Sequence, residues 1–370
     1  MAPLELISRR DLLRGLAGLG LAACSPARRG PTGSIVGGAH ARGHRLRDGF
    51  RAEPEAWEET EVAVLGAGVS GLSAAWALDR GGLRDFVVLE LEDAPGGTAR
   101  SGRGALTPYP WGAHYVPVPT PDNVALVALL DEVGAVAGRD AEGQPVYAED
   151  ALCRDPQERV FFRGEWYEGL YPQVGATPRD LEELRAFEAD MRRWSRWRDE
   201  RGRRAFDLPR ARGSDAEEVR RLDDMSMAAY LDARGWRSPR LRWLVEYGCR
   251  DDFGATLAQT SAWAGVHYFA ARADESGQGA PVLTWPEGNG RLVSHLAGRA
   301  GARLKTGATV TEVRPHARGV DVVWHEAATS KTRGLRARHA VFALPRFLAA
   351  HVVADYRARP PAHLKETVYG

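Results

Sequence analysis

The chain is short of lysine, cysteine and surplus charge. Of its 50 basic residues only Lys305, Lys331 and Lys365 are lysines, and 49 acidic residues leave a formal net charge of +1. That balance offers no electrostatic footprint for nucleic acid, and no such partner is expected. The scarcity of lysine reads as base-composition bias in the coding sequence. The three cysteines, Cys24, Cys153 and Cys249, form no C-x-x-C or metal-ligand spacing, so neither a disulfide framework nor a metal site is indicated. The apolar run from Leu12 to Ala23 is too short to span a bilayer. What remains is a globular chain of 370 residues, 44% hydrophobic, long enough for two domains.

The rest is organised around Glu61 to Glu90, EVAVLGAGVSGLSAAWALDRGGLRDFVVLE. A β-branched run enters a glycine turn, and SAAWALDR follows with helical apolar spacing. Gly66, Gly68 and Gly71 make G-x-G-x-x-G: a tight turn, close backbone approach to a pyrophosphate, and close packing of helix on strand. The helix start offers free amides and a positive dipole end to phosphates. A second strand, DFVVLE, ends in Glu90, 19 residues past Gly71, where a carboxylate accepts from ribose hydroxyls and repels a 2′-phosphate. Strand, turn, helix, strand and acid together point to a dinucleotide. They argue against NADP and leave NAD and FAD open.

The next residues, LEDAPGGTARSGRGALTPYPWGAHYVPVP, resemble the flavin amine oxidase superfamily, which includes monoamine and polyamine oxidases, protoporphyrinogen oxidase and carotene desaturases. In that family the ribose-binding Glu precedes a Gly-Gly-Arg-x-Arg turn, matched here by Gly96, Gly97 and Arg100, with Thr98 in place of the first Arg. A Gly-Ala-x-aromatic segment follows near the isoalloxazine, matched by Gly112, Ala113, His114 and Tyr115. The segment PEGNGRLVSHLAGRAGARLKTGATVTEVRP resembles the return to the flavin domain, and implies an adenine contact from the backbone of Val310. Ala343-Leu344-Pro345 resembles the crossing back to the substrate domain.

The resemblance implies an α/β fold, a Rossmann-like FAD-binding domain interleaved with a mostly helical α+β substrate domain. The expected segments are a signal over 1–24, a linker over 25–58, FAD-binding parts over 59–118 and 285–347, a substrate domain over 119–284, and the start of a second substrate segment over 348–370. The family continues past this point with a water-holding lysine and a closing flavin-binding helix, so the chain is expected to be C-terminally truncated.

At the N-terminus, Ser8-Arg9-Arg10-Asp11-Leu12-Leu13-Arg14 resembles a twin-arginine signal, and Leu21-Ala22-Ala23-Cys24 resembles a lipobox with Cys24 acylated. These imply the twin-arginine export machinery as a partner, a lipid anchor, and the bacterial periplasm or cell envelope. The alternative is a basic amphipathic helix kept in the cytoplasm. Residues 25–58, rich in Gly, Arg and Pro, lack periodicity, and His40, His44 and Arg45 there read as solvated.

Between the flavin motifs, PDNVALVALLDEVGA reads as an amphipathic helix closed by Gly134, and RVFFRGEWYEGLYP as a hairpin turning at Gly164. LEELRAFEADMRRWSRWRDERGRR is the clearest helix of a charged helical region. Trp194, Trp197, Trp243 and Trp263 suit an aromatic cage or, more commonly, core packing. Asp251, Asp252 and His267 form either an acid/base set or capping and salt-bridging groups. Cys249 beside an arginine reads as a buried thiol.

The expected chemistry is two-electron oxidation of a small amine-type substrate with hydride transfer to flavin N5, O2 being a candidate electron acceptor. His114 and Tyr115 are the flavin-face candidates. The alternatives are desaturation or oxidation of a lipophilic substrate, and a non-catalytic FAD-binding lipoprotein.

Overall fold

The structure, a computed structural model, describes residues 37–120, 122–154, 158–271 and 281–365. The signal-like stretch with Arg9, Arg10 and Cys24 lies outside them. The chain divides into two compact units, Met1–His40 and Ala41–Gly370, and the second holds the sheets and the helices packed on them.

Strand β1 (Ala56–Leu65) is apolar over its last residues because both faces are covered. Val62 and Val64 face helix α2 (Val69–Arg80), while Ala63 and Leu65 face the opposite layer. β1 pairs in parallel with β2 (Phe86–Leu89), so β1-α2-β2 is the predicted unit. The sheet is completed by β6 (Leu304–Lys305), β7 (Ala308–His316), β8 (Gly319–Glu326) and β9 (Lys331–Phe342), in the order β6-β2-β1-β9-β8-β7. Its β6, β2, β1 and β9 run parallel, and β7, β8 and β9 form an antiparallel meander. Helix α8 (Gly290–Ala300) packs beside α2 through Val293 and Leu296.

The opposite face contradicts one expectation. Residues 40–47, read from sequence as part of a linker, form helix α1 (His40–Arg47), and β1 begins at Ala56, inside the same stretch. Leu46 is buried in the core with Leu65, Val310 and Leu335. α1 buries only that one side chain, so no apolar periodicity announced it. Arg45 is exposed as expected, with its guanidinium 3.8 Å over the Phe50 ring.

A second core fills the helices α4 (Pro178–Arg196), α5 (Met227–Ala233), α6 (Pro239–Phe253) and α7 (Ala262–Ala270). The predicted helix before them, α3 (Val124–Glu132), packs on two further cores through Leu129 and Leu130. α4 starts where Thr177 and Asp180 make a reciprocal capping box with Pro178 in the first turn. Trp194 is buried, its indole donating to the Tyr230 hydroxyl at 2.8 Å, and that hydroxyl donates to Asp190 at 2.6 Å. Trp197 and Trp263 pack against the same core, whereas Trp243 is 44% exposed. Three of the four tryptophans are therefore packing residues. The short sheet β3 (Tyr115–Pro117), β5 (Val282–Thr284) and β4 (Leu152–Cys153), ordered β3-β5-β4, joins the 112–117 segment to the chain returning at 281. The expected hairpin forms between Arg159–Phe162 and Glu165–Glu168, with Arg163 and Gly164 both at positive φ in its turn.

Asp199 anchors the loop after α4. Burial alone would push its carboxyl up, but hydrogen bonds from the Ser214 hydroxyl, the Arg203 amide and guanidinium, and the Arg201 amide outweigh it and hold it at about 2. A depressed carboxylate stabilises fully above its unfolded pKa, near 4, and that contribution is lost as pH falls through about 2. Asp199→Asn is therefore expected to lower the urea midpoint at pH 7 and to flatten the fall in stability between pH 4 and 2, read by circular dichroism.

Candidate functional site

The site forms where β1 and β2 end. Gly66, at φ +97°, turns the chain, and its amide donates to Leu89 O at 2.8 Å. A Cβ on Gly66 would meet Ala343 O at 3.0 Å, and one on Gly71 would meet Gly66 O at 1.8 Å. Both glycines are thus required by the protein's own packing. Gly68 is different: a Cβ there would meet nothing within 4 Å, and Val69 and Ser70 beyond it are exposed. No side chain caps α2, so its first amides open onto that space.

Glu90 closes the turn from the other side. Its Oε2 accepts from the Ala67 amide at 2.6 Å and its Oε1 from the Glu92 amide at 2.9 Å. The Gly96-Gly97 turn lies against the same loop: Gly96 bridges Gly68, its amide donates to Ala67 O at 2.8 Å, and both residues have positive φ. The structure thus gathers Gly66, Gly68, Gly71, Glu90, Gly96 and Gly97 at one place.

The later residues continue the line. The Ala113 amide donates to Thr98 O at 3.0 Å, and a Cβ on Gly112 would meet Thr98 O at 2.6 Å, so Thr98 supports the segment through its backbone. The Arg100 guanidinium lies 4.8 Å over the Trp111 ring. His114 Nδ1 is 3.1 Å from Gly112 O, and its ring meets Tyr115 edge-on at 5.0 Å. Val310 is buried against Leu89 and Leu65, and the β7–β8 register shifts just past it.

Asn289 and Thr284 were missed in the sequence because nothing local marks them. The Asn289 amide donates to Ala113 O at 3.3 Å, Thr284 Oγ1 to His114 O at 2.7 Å, and Asn289 Nδ2 to Tyr115 O at 3.1 Å. Three consecutive carbonyls are held by the chain returning through β5. Asn289 Oδ1 is itself buried with no partner among the described residues. A cradle with open space at Gly68, uncapped amides beside it and an orphaned acceptor near residues 113–115 fits a long dinucleotide with a polar ring system.

Residues 69–364 match the family of flavin containing amine oxidoreductases. The chain belongs to that family. Its members are FAD-dependent oxidoreductases, and FAD is the cofactor. The chain is 35% identical over 134 residues to a hydroxyneurosporene desaturase of Rhodobacter capsulatus, covering 36% of this chain and 24% of that protein. Its fold is similar to putrescine oxidase solved with putrescine (TM-score 0.59, 19% identity, 84% of this chain and 63% of that one). It is also similar to cyclohexylamine oxidase from Brevibacterium oxydans (TM-score 0.54, 19% identity, 80% and 60%). The chain spans under two thirds of these oxidases and about a quarter of the desaturase.

In the helical part of this flavin-family chain, a cleft of about 740 Å³ is lined by Trp243, Glu246, Tyr247, Arg250 and Asp251 among others. Burial, with Asp251, Glu158 and Tyr115 adding to it, pushes the Tyr247 hydroxyl up. Asp251 and His267 are not brought together as an acid/base pair: the Tyr268 hydroxyl reaches Asp251 at 3.4 Å, while His267 stacks on Trp263. The end of α6 is capped by Gly254 at φ +62°, not by an aspartate. Burial pushes the Cys249 thiol up, as suits a core residue.

Proposed function

We propose that the chain is the FAD-holding part of an oxidoreductase acting on a small amine. When bound, FAD supplies the two-electron acceptor for hydride leaving the carbon next to the amine nitrogen. The chain's own residues hold and orient. Gly68 gives the pyrophosphate room, Gly96 and Gly97 form the turn beside it, and the first amides of α2 donate to it. Glu90 accepts from ribose hydroxyls, the backbone of Val310 meets the adenine, and Arg100 supplies a cation. Gly112, Ala113, His114 and Tyr115 line the ring, with His114 and Tyr115 facing the reaction. The observation that carries this reading is Gly68: the protein itself gives no reason for a glycine there.

Support for the amine class comes from the family the chain belongs to, flavin containing amine oxidoreductases. Burial above all, with repulsion from Asp251 adding to it, pushes the Glu158 carboxyl up. A substrate ammonium would relieve it, with the Tyr247 ring at hand. The desaturase relative favours a second reading, oxidation of a lipophilic substrate. We also propose twin-arginine export and lipid anchoring at Cys24, which would place the protein in the bacterial periplasm or cell envelope, with O2 as acceptor. The order of the two signal-like motifs supports this.

Two measurements test the proposal. Gly68→Ala is expected to keep the circular-dichroism melting curve and raise the FAD dissociation constant about tenfold or more. Anaerobic mixing of the flavin-loaded protein with short alkyl amines and diamines is expected to bleach the flavin band. Bleaching by an apolar polyene and by no amine would replace the amine reading with the desaturase one.

A further inference from the structure

Helix α1 lies before the region that matches the family, yet it reaches the cofactor cradle. Arg42 Nη1 donates to Leu91 O at 2.9 Å and to Asp93 Oδ1 at 2.8 Å, and Nη2 donates to Asp93 Oδ2 at 3.2 Å. The guanidinium grips the loop just past Glu90 with a planar, two-pronged geometry that a lysine cannot reproduce. Leu46 seats the helix on the sheet one turn farther on. From the other side, the Gly307 amide donates to Glu92 O at 2.8 Å and the Ala308 amide to Glu90 O at 2.7 Å. Residue 92 is the link: its amide holds Glu90 Oε1, so wherever loop 91–93 sits, the Glu90 carboxylate follows.

We infer that Arg42 is a positioning residue for the adenosine end of the dinucleotide, acting on Glu90 through Leu91, Glu92 and Asp93, with α1 as a clasp on that loop. This rests on reading Glu90 as the ribose acceptor. The arrangement is poorly explained as a stability device. Asp93 is 77% exposed at its side chain, and an exposed ion pair adds little to global stability. The Arg42 hydrogen bond nevertheless holds the Asp93 carboxyl below its ordinary range, with Arg100 adding to it from the cradle side. The contact is therefore suited to fixing a loop's place.

The test uses the full chain and ADP, which carries the adenosine and pyrophosphate groups that the cradle is proposed to hold. Arg42→Gln and Asp93→Asn should each raise the ADP dissociation constant about five- to tenfold by calorimetry while leaving the thermal midpoint nearly unchanged. The double variant should be no weaker than the singles, since both break one link. Reciprocity requires that ADP slow amide exchange in α1 of the unsubstituted chain, and this protection should vanish in Arg42→Gln. Unchanged ADP affinity in both single variants, with binding lost in Glu90→Ala, would overturn the clasp and leave the cofactor site standing. No ADP binding by the unsubstituted chain, or binding indifferent to Glu90→Ala, would overturn the site and the clasp together.

Discussion

Gly71→Ala is expected to unfold the β1-α2-β2 unit. The new Cβ would sit 1.8 Å from Gly66 O and 2.9 Å from Gly66 C, inside backbone that cannot rotate away. Gly66 in turn abuts Ala343 and Leu344, so separating α2 from the turn also disturbs the end of β9. Overpacking in a tight core costs about 1–3 kcal/mol, but here the clash is with main chain at the centre of the sheet. The loss should exceed about 4 kcal/mol, the range reserved for disruption of a defining contact. Urea denaturation checks it, with ADP binding lost in parallel. Gly298→Ala, on the exposed face of α8 with nothing within 4 Å of the new Cβ, should instead stabilise by about 0.5–1 kcal/mol.

Asp79→Ala should be the next most damaging. Its carboxylate is 5% exposed at the end of α2, where it accepts from Arg299 at 2.8 Å and Arg303 at 3.1 Å and is paired with Arg84. It ties α2 to the end of α8, the two helices on one face of the sheet. Removing one member of a buried pair costs about 3–5 kcal/mol when the partner is stranded. The arginines here are 25–66% exposed and can rehydrate, so about 2–3 kcal/mol is expected. Asp79→Asn should recover part of this. Thermal and urea midpoints of the two variants decide it, and equal stability of Asp79→Ala and the unsubstituted chain would show that the cluster is mere surface charge.

Much of the fold was legible because the strongest signals are local. A β-branched run, three glycines and an acid at fixed spacing dictate their own backbone, and β1-α2-β2 forms where that pattern predicts. Capping residues behaved in the same way: Thr177, Pro178 and Asp180 start α4 as their chemistry requires. The tryptophans were harder. Helical spacing places Trp194 and Trp243 on helices, but only the packing of α4 against α5 and α7 buries one and leaves the other beside a cleft.

Residues whose importance comes from a distant partner stayed hidden. α1 has one buried side chain and is placed by a guanidinium reaching 51 residues along the chain. Thr284 and Asn289 support His114 and Tyr115 across 170 and 174 residues of sequence. By itself the sequence determined the dinucleotide turn, the strand-helix-strand unit around it and the family to which both belong. These depend on steric limits and amide geometry within a few residues. Only the tertiary structure separated Gly68, which the protein's packing does not require, from Gly66 and Gly71, which it does. That distinction depends on what a Cβ would touch, and the neighbours at Ala343 and Leu344 arrive only when β9 pairs with β1.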